Sequence, residues 1–206
     1  MSDNEIVLNY HNSLLRKSDV DLLKNPHWLN DRLIGFWFEY LENSNLDDSV
    51  CFVCPEVSQF IKLGDSSETS AFVDPLNLKS RLLVLLPVND SVLLDHPGGS
   101  HWSLLVYDCF AKKYYHYDSL IGSNLNHAKK IANNLNLSKE IVEIRCTQQQ
   151  NSFDCGVFVC CNAENVVKHC SVNKCELKSV PPLSIDVFKN QRKHMLQVIS
   201  TLSCNL

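Results

Sequence analysis

Apolar positions along the chain change their spacing several times, and each change marks an element. From about Leu29 to Glu42, Leu33, Trp37, Tyr40 and Leu41 recur at helical intervals. Asn30 is placed to cap that helix, and Asp31 suits its positive end. Asn43-Ser44-Asn45 ends it, and a shorter helix is predicted from Pro55, with Val57, Phe60 and Ile61 on one side. From Leu82 to Val88 and from Trp102 to Tyr107 the apolar runs are continuous, as expected of strands covered on both faces. Tyr114 to Asp118 reads as a third strand and Ile141 to Cys146 as another, with helices at about Asn126–Asn136, Asp154–His169 and Ser184–Leu202. Before Leu29 the chain reads as a short irregular lead-in, and Gly64 to Ser70 as a polar loop. Asn89 to Ser100, with Pro97-Gly98-Gly99 near its end, reads as a surface loop that delivers the chain to His101 and is placed to act as a lid.

No repeat or linker interrupts this order, so a single domain over residues 1–206 is expected. A net charge of -4, with no Lys/Arg-rich run, argues against a nucleic-acid partner. No apolar run has the length of a membrane span, and Ser2-Asp3-Asn4-Glu5 does not read as an export signal. A soluble protein of the cytoplasm, the nucleus or both is the expectation. Ten cysteines in such a chain are expected to be reduced thiols. Cys51 and Cys54 have zinc spacing, and His169, Cys170 and Cys175 are further possible ligands, but no second pair completes a four-ligand set. No metal is expected.

Candidate chemistry lies at Gln149-Gln150-Asn151-Ser152-Phe153-Asp154-Cys155-Gly156. Cys155 falls in the first turn of a predicted helix, where the amino end and a neighbouring protonated histidine favour a thiolate nucleophile. Gly156 is expected to leave the space beside the sulfur free. The short polar connection Asp108 to Lys113 favours an antiparallel hairpin, which brings His101 and Asp118 to one sheet edge. There Asp118 is expected to accept from His101 Nδ1, completing a Cys-His-Asp set. Gln149, with the Cys155 amide, is placed to hold an oxyanion.

His101-Trp102-Ser103-Leu104, Tyr117-Asp118-Ser119 and Gln149 to Gly156 resemble the ubiquitin-like-protein-specific (sentrin-specific) cysteine proteases. Flanking segments are similar to the deneddylase branch: Trp28-Leu29-Asn30-Asp31, Gly35-Phe36, Phe38-Glu39-Tyr40, Pro55-Glu56-Val57, Gln59-Phe60-Ile61-Lys62 and Gly98-Gly99. The likeness covers about residues 5–170. A shortened stretch between Leu137 and Gln149 and a cysteine-bearing segment after His169 depart from the pattern.

This resemblance implies an α+β, papain-like cysteine protease core, a mixed sheet flanked by helices. It implies His101, Asp118 and Cys155 as the triad and Gln149 as the oxyanion donor. It further implies a narrow tunnel for a Gly-Gly tail roofed by Trp28 and Trp102, with Asp31 pairing with an arginine of that tail and the loop from Asn89 to Gly99 closing over it. Glycine suits such a tunnel because the missing Cβ lets aromatic walls approach the backbone. The implied substrate is a ubiquitin-like modifier, the neddylation modifier first, and its conjugated proteins. No cofactor is implied, and a monomer is expected. A protease for the SUMO-type modifier, an acyltransferase and a non-catalytic modifier-binding module are the alternatives.

Overall fold

The computed structural model describes residues 4–24, 26–44, 48–65, 69, 73–93, 98–173 and 177–204. Part of the loop read from Gly64 to Ser70, part of that from Asn89 to Ser100, and Cys175 lie outside the described residues. The chain opens with a hairpin, β1 (Ile6–Tyr10) and β2 (Ser13–Arg16), where an irregular lead-in was expected. Its turn is His11-Asn12, with His11 at φ 49°, so the left-handed residue carries no glycine signal. Asn12 then ties the turn to Glu39 through its amide and side chain, at 2.9 and 2.8 Å.

Helices α1 (Lys17–Asp21) and α2 (Asp31–Ser44) follow, then β3 (Val50–Phe52), α3 (Pro55–Leu63), β4 (Leu83–Asn89), β5 (Trp102–Asp108) and β6 (Lys113–Tyr117). The described chain continues with α4 (Leu125–Leu135), β7 (Ile141–Ile144), α5 (Cys155–Asn173) and α6 (Ile185–Ser203). Asn30 caps α2 as its position predicts, accepting from the Leu33 amide at 3.1 Å. Strands β3 to β7 form a mixed sheet in sequence order, parallel at the two outer pairs and antiparallel at β4–β5 and β5–β6.

The continuous apolar runs arise because helices cover both faces. Leu83 and Leu85 of β4, Leu104 and Val106 of β5, and Tyr115 and Tyr117 of β6 turn toward the core shared with α2, α5 and α6. Their alternates Val84, Leu86, Leu105, Tyr107 and Tyr114 turn toward Ile61 of α3 and Ala128 and Ile131 of α4. The central antiparallel register then sets the site. Asn89 pairs with Trp102 and Leu104 with Tyr117, so the end of β4, the start of β5 and the end of β6 share one sheet edge.

Candidate active site

Helix α5 packs across β5 and against α2 and α6, and it starts at Cys155. An Asn turn leads into it: Asn151 Oδ1 accepts from the amides of Phe153 and Asp154 at 3.1 and 3.0 Å. Cys155 is 2% exposed yet lines the floor of a cleft. Gly156 has a packing role that sequence reading did not give. A Cβ there would lie 3.0 Å from Leu29 Cβ and 3.3 Å from Ile34 Cδ1, so its absence lets α5 seat against the start of α2.

His101 and Asp118, both buried, meet at the sheet edge with Nε2 and Oδ1 2.6 Å apart. The expected nitrogen was Nδ1, and the structure reverses the ring. Asp118 lies beyond the end of the neighbouring strand and reaches the outer nitrogen, which leaves Nδ1, the one nearer the main chain, toward the Cys155 thiol that also bonds this ring. Burial opposes a charge on His101, but the bonds to Asp118 and Cys155 outweigh it and raise the imidazole to about 9. The resting ring is therefore protonated at neutral pH. Asp118 is also buried, which disfavours its charge, yet the His101 bond and the Asn124 and Leu120 amides hold it below its ordinary value. The neighbouring His116 goes the other way: burial lowers it to about 4, so it stays neutral, and it shares a hydrogen bond with Ser103 at 2.9 Å.

Residues that sequence reading missed hold this pair. Asn124 donates its amide to Asp118 Oδ2 at 3.0 Å and its side chain to the carbonyls of Val88 and His101, at 3.0 and 3.3 Å. Its place just before α4 signalled a helix start and nothing more. Asp90 fastens the other approach to His101. Its Oδ1 accepts from the amides of Ser100 and His101 at 2.6 and 3.1 Å, and its Oδ2 accepts from Ser100 Oγ at 2.7 Å. Burial works against that carboxylate, and these donors lower it nonetheless. Beneath it, buried Lys62 donates to the carbonyls of Asn89 and Ser91. Burial brings this ammonium down to about 8, with Asp90 opposing the shift.

The cleft, about 830 Å³, runs from Cys155 between Trp28, Asp31 and Trp102 and the loop residues Asn89 and Gly99. All five predicted substrate-facing residues therefore line one space with the thiol. Trp28 is 49% exposed on its wall, and its Nε1 donates to the Ser152 carbonyl at 2.6 Å. Asp31 stands exposed, and among the described residues it forms no ion pair. Gln149, the predicted oxyanion donor, is not among the residues that line this cleft; it is held at the turn that leads to Cys155. Its Oε1 accepts from Ser119 Oγ at 2.7 Å and its Nε2 donates to the Asn151 carbonyl at 2.6 Å. One hydrogen of that NH2 group is used there, and the other is free for an oxyanion.

Other thiols are set apart by their surroundings. Burial pushes Cys51, Cys109 and Cys146 up to about 11 and raises Cys160 and Cys161 further, so all five stay protonated at neutral pH. Among the described residues no group of His, Cys, Asp and Glu is arranged to hold a metal ion.

Comparison with known proteins bears on the same residues. The model of the Ulp1 protease family, C-terminal catalytic domain, matches residues 69–199. Sentrin-specific protease 8 of Rattus norvegicus is 47% identical over 170 residues, 77% of this chain and 78% of its own. NEDD8-specific protease 1 of Arabidopsis thaliana is 33% identical over 215 residues, 98% of this chain and 95% of its own. Among solved structures, the C-terminal Ulp1 protease domain in complex with Smt3, the yeast orthologue of SUMO, superposes with a TM-score of 0.74 at 19% identity, over 98% of this chain and 90% of that one. At that identity the likeness shows the fold, an α+β mixed sheet flanked by helices.

Proposed function

This chain belongs to the Ulp1 protease family, and from that premise we propose that it is a thiol protease that cuts behind the C-terminal Gly-Gly of a ubiquitin-like modifier, the neddylation modifier in particular. The observation that carries the chemistry is one imidazole bonded on one side to Asp118 and on the other to Cys155. With the ring protonated, the partner sulfur attacks as a thiolate. It adds to the carbonyl carbon of the terminal glycine, and the oxyanion takes the free N–H of Gln149 and the Cys155 amide. His101 gives its proton to the nitrogen as the C–N bond breaks, releasing either a lysine side chain or a precursor tail. Water then loses a proton to His101 and adds to the thioester, and the C–S bond breaks to free the modifier.

The cleft supports a glycine tail, because Trp28 and Trp102 leave Cys155 approachable by a strand without side chains. Exposed Asp31 is suited to a basic residue of that tail. Similarity to a NEDD8-specific protease over nearly the whole chain favours the neddylation modifier over SUMO. Ubiquitin-like proteins carrying a C-terminal electrophile test both points. The neddylation modifier should form the fastest adduct, mapped by mass to Cys155, and Cys155→Ala should bind it without cleaving conjugates. Faster capture of the SUMO-type protein would overturn the substrate, and cleavage by Cys155→Ala would overturn the mechanism.

A further inference from the structure

On the buried stripe of α6, between Phe188 and Met195, stands a charged residue, Arg192, only 4% exposed. A guanidinium so buried is tolerated only when its donors are met. Here they are. Nε and Nη2 both reach Asp154 Oδ1, at 2.9 and 2.7 Å, Nη1 donates to the Leu22 carbonyl at 2.8 Å, and Nη2 to that of His27 at 2.7 Å. Nη2 also lies 3.4 Å from the Phe153 carbonyl, and the guanidinium carbon sits 5.7 Å from the centre of the Phe153 ring.

These partners are the chain neighbours of the site. Asp154 precedes Cys155, and His27 precedes Trp28, whose indole returns to Ser152. The cleft wall and the turn into the nucleophile helix thus close into one bracket through a single side chain of α6. We propose that Arg192 is a positioning residue for the reaction: it cancels the charge of Asp154, the residue before the nucleophile, and locks the Trp28 wall to the nucleophile turn. This rests on Cys155 being the nucleophile. A lysine would keep the charge but not the fork that spans Asp154 and two carbonyls. Around the nucleophile the charged groups are His101 just before β5 with its partner Asp118 beyond β6, Asp154 one residue before Cys155 with Arg192 of α6, and Asp31, Arg32 and Glu56 along the cleft. Only Asp154 is compensated by Arg192.

The test is the pH profile of capture of Cys155 by a pyridyl disulfide, with the adduct mapped by mass, alongside kcat and KM for a fluorogenic modifier conjugate. In Arg192→Met the uncompensated Asp154 carboxylate, one residue before Cys155, should move the capture midpoint up by about one pH unit. Below the midpoint, capture slows only about threefold, because a more basic thiolate is also a better nucleophile. Adding Asp154→Asn should return the midpoint to the parent value. Arg192→Lys should leave the midpoint in place and raise KM about fivefold, the effect of one lost buried hydrogen bond. A folded Arg192→Met whose profile overlays the parent, or an unchanged KM in Arg192→Lys, overturns the proposal, and the second result decides the matter if the methionine variant does not fold. A parent adduct on another cysteine would overturn the nucleophile reading instead.

Discussion

Replacing Gly99 by alanine should damage the site far more than the same change at Gly122, although both have positive φ, +86° and +78°. Left-handed backbone costs alanine about 1–2 kcal/mol at either position. At Gly122 nothing lies within 4 Å of the new methyl, so strain is the whole cost. At Gly99 the methyl would lie 2.1 Å from Asn89 Oδ1 and 2.6 Å from Asp90 Oδ1. Neither oxygen can swing aside freely. Asn89 Oδ1 accepts from the Ser91 amide at 2.7 Å, and Asp90 Oδ1 holds the amides of Ser100 and His101. Yielding to the methyl loses at least one charge-assisted bond, about 1.5–3 kcal/mol. Gly99→Ala should therefore unfold at lower urea than Gly122→Ala by about 2 kcal/mol at a common slope. Because the broken bond holds the backbone of His101, kcat/KM should also fall about thirtyfold, the equivalent of that 2 kcal/mol. Equal urea midpoints for the two variants, with kcat/KM of Gly99→Ala within about threefold of the parent, would refute the reasoning.

The raised imidazole sets an alkaline limit. His101 should lose its proton as pH passes about 9, so kcat measured from pH 7 upward should hold and then decline through that value. The same group stabilises the fold fully below its ordinary 6.5, and that contribution is lost as pH rises through about 9, which urea midpoints at stepped pH will show. In Asp118→Asn both declines should begin lower, since the main bond raising the ring is weakened. Gln149→Ala should lower kcat about 10²–10³-fold with little change in KM, the cost of one oxyanion donor. An unchanged kcat would remove Gln149 from the chemistry.

Much of this arrangement was legible because period and motif agree. The two apolar runs gave β4 and β5, the short connection after Asp108 gave the β5–β6 hairpin, and that hairpin brings His101 to Asp118. Three misses have physical causes. The first hairpin turns on His11, whose left-handed backbone is invisible to a search for glycine or Asn-Gly turns. The expected bond from His101 Nδ1 presumed one ring orientation, but which nitrogen faces Asp118 depends on the seating of α5 over β5, a tertiary matter. Gly156 sits where α5 meets Leu29 and Ile34, and a sequence does not show which helices touch. Arg192 left a faint signal, a lone arginine at the spacing of Phe188, Met195 and Ile199, where a solvated charge does not belong.

The proposed chemistry and one wall of the proposed recognition cleft come from different stretches of the chain. His101, Asp118, Gln149 and Cys155 all fall inside the span matched by the family model, residues 69–199. Of the cleft wall, Trp28, Asp31, Pro55, Glu56, Gln59 and Phe60 precede it, whereas Asn89, Gly99 and Trp102 lie within it. Chemistry common to a family needs one geometry, whereas recognition of one tail among several needs a wall that can change without moving the nucleophile. Such a wall must still be fixed to the sulfur, since a displacement near 1 Å costs about a hundredfold in rate. The Trp28 bond to Ser152 and the Arg192 fork to His27 and Asp154 supply that attachment from opposite directions. Substitutions that exchange modifier preference should therefore be tolerated at Asp31 and Glu56, which face the cleft, and not at Arg192, which joins the wall to the chemistry.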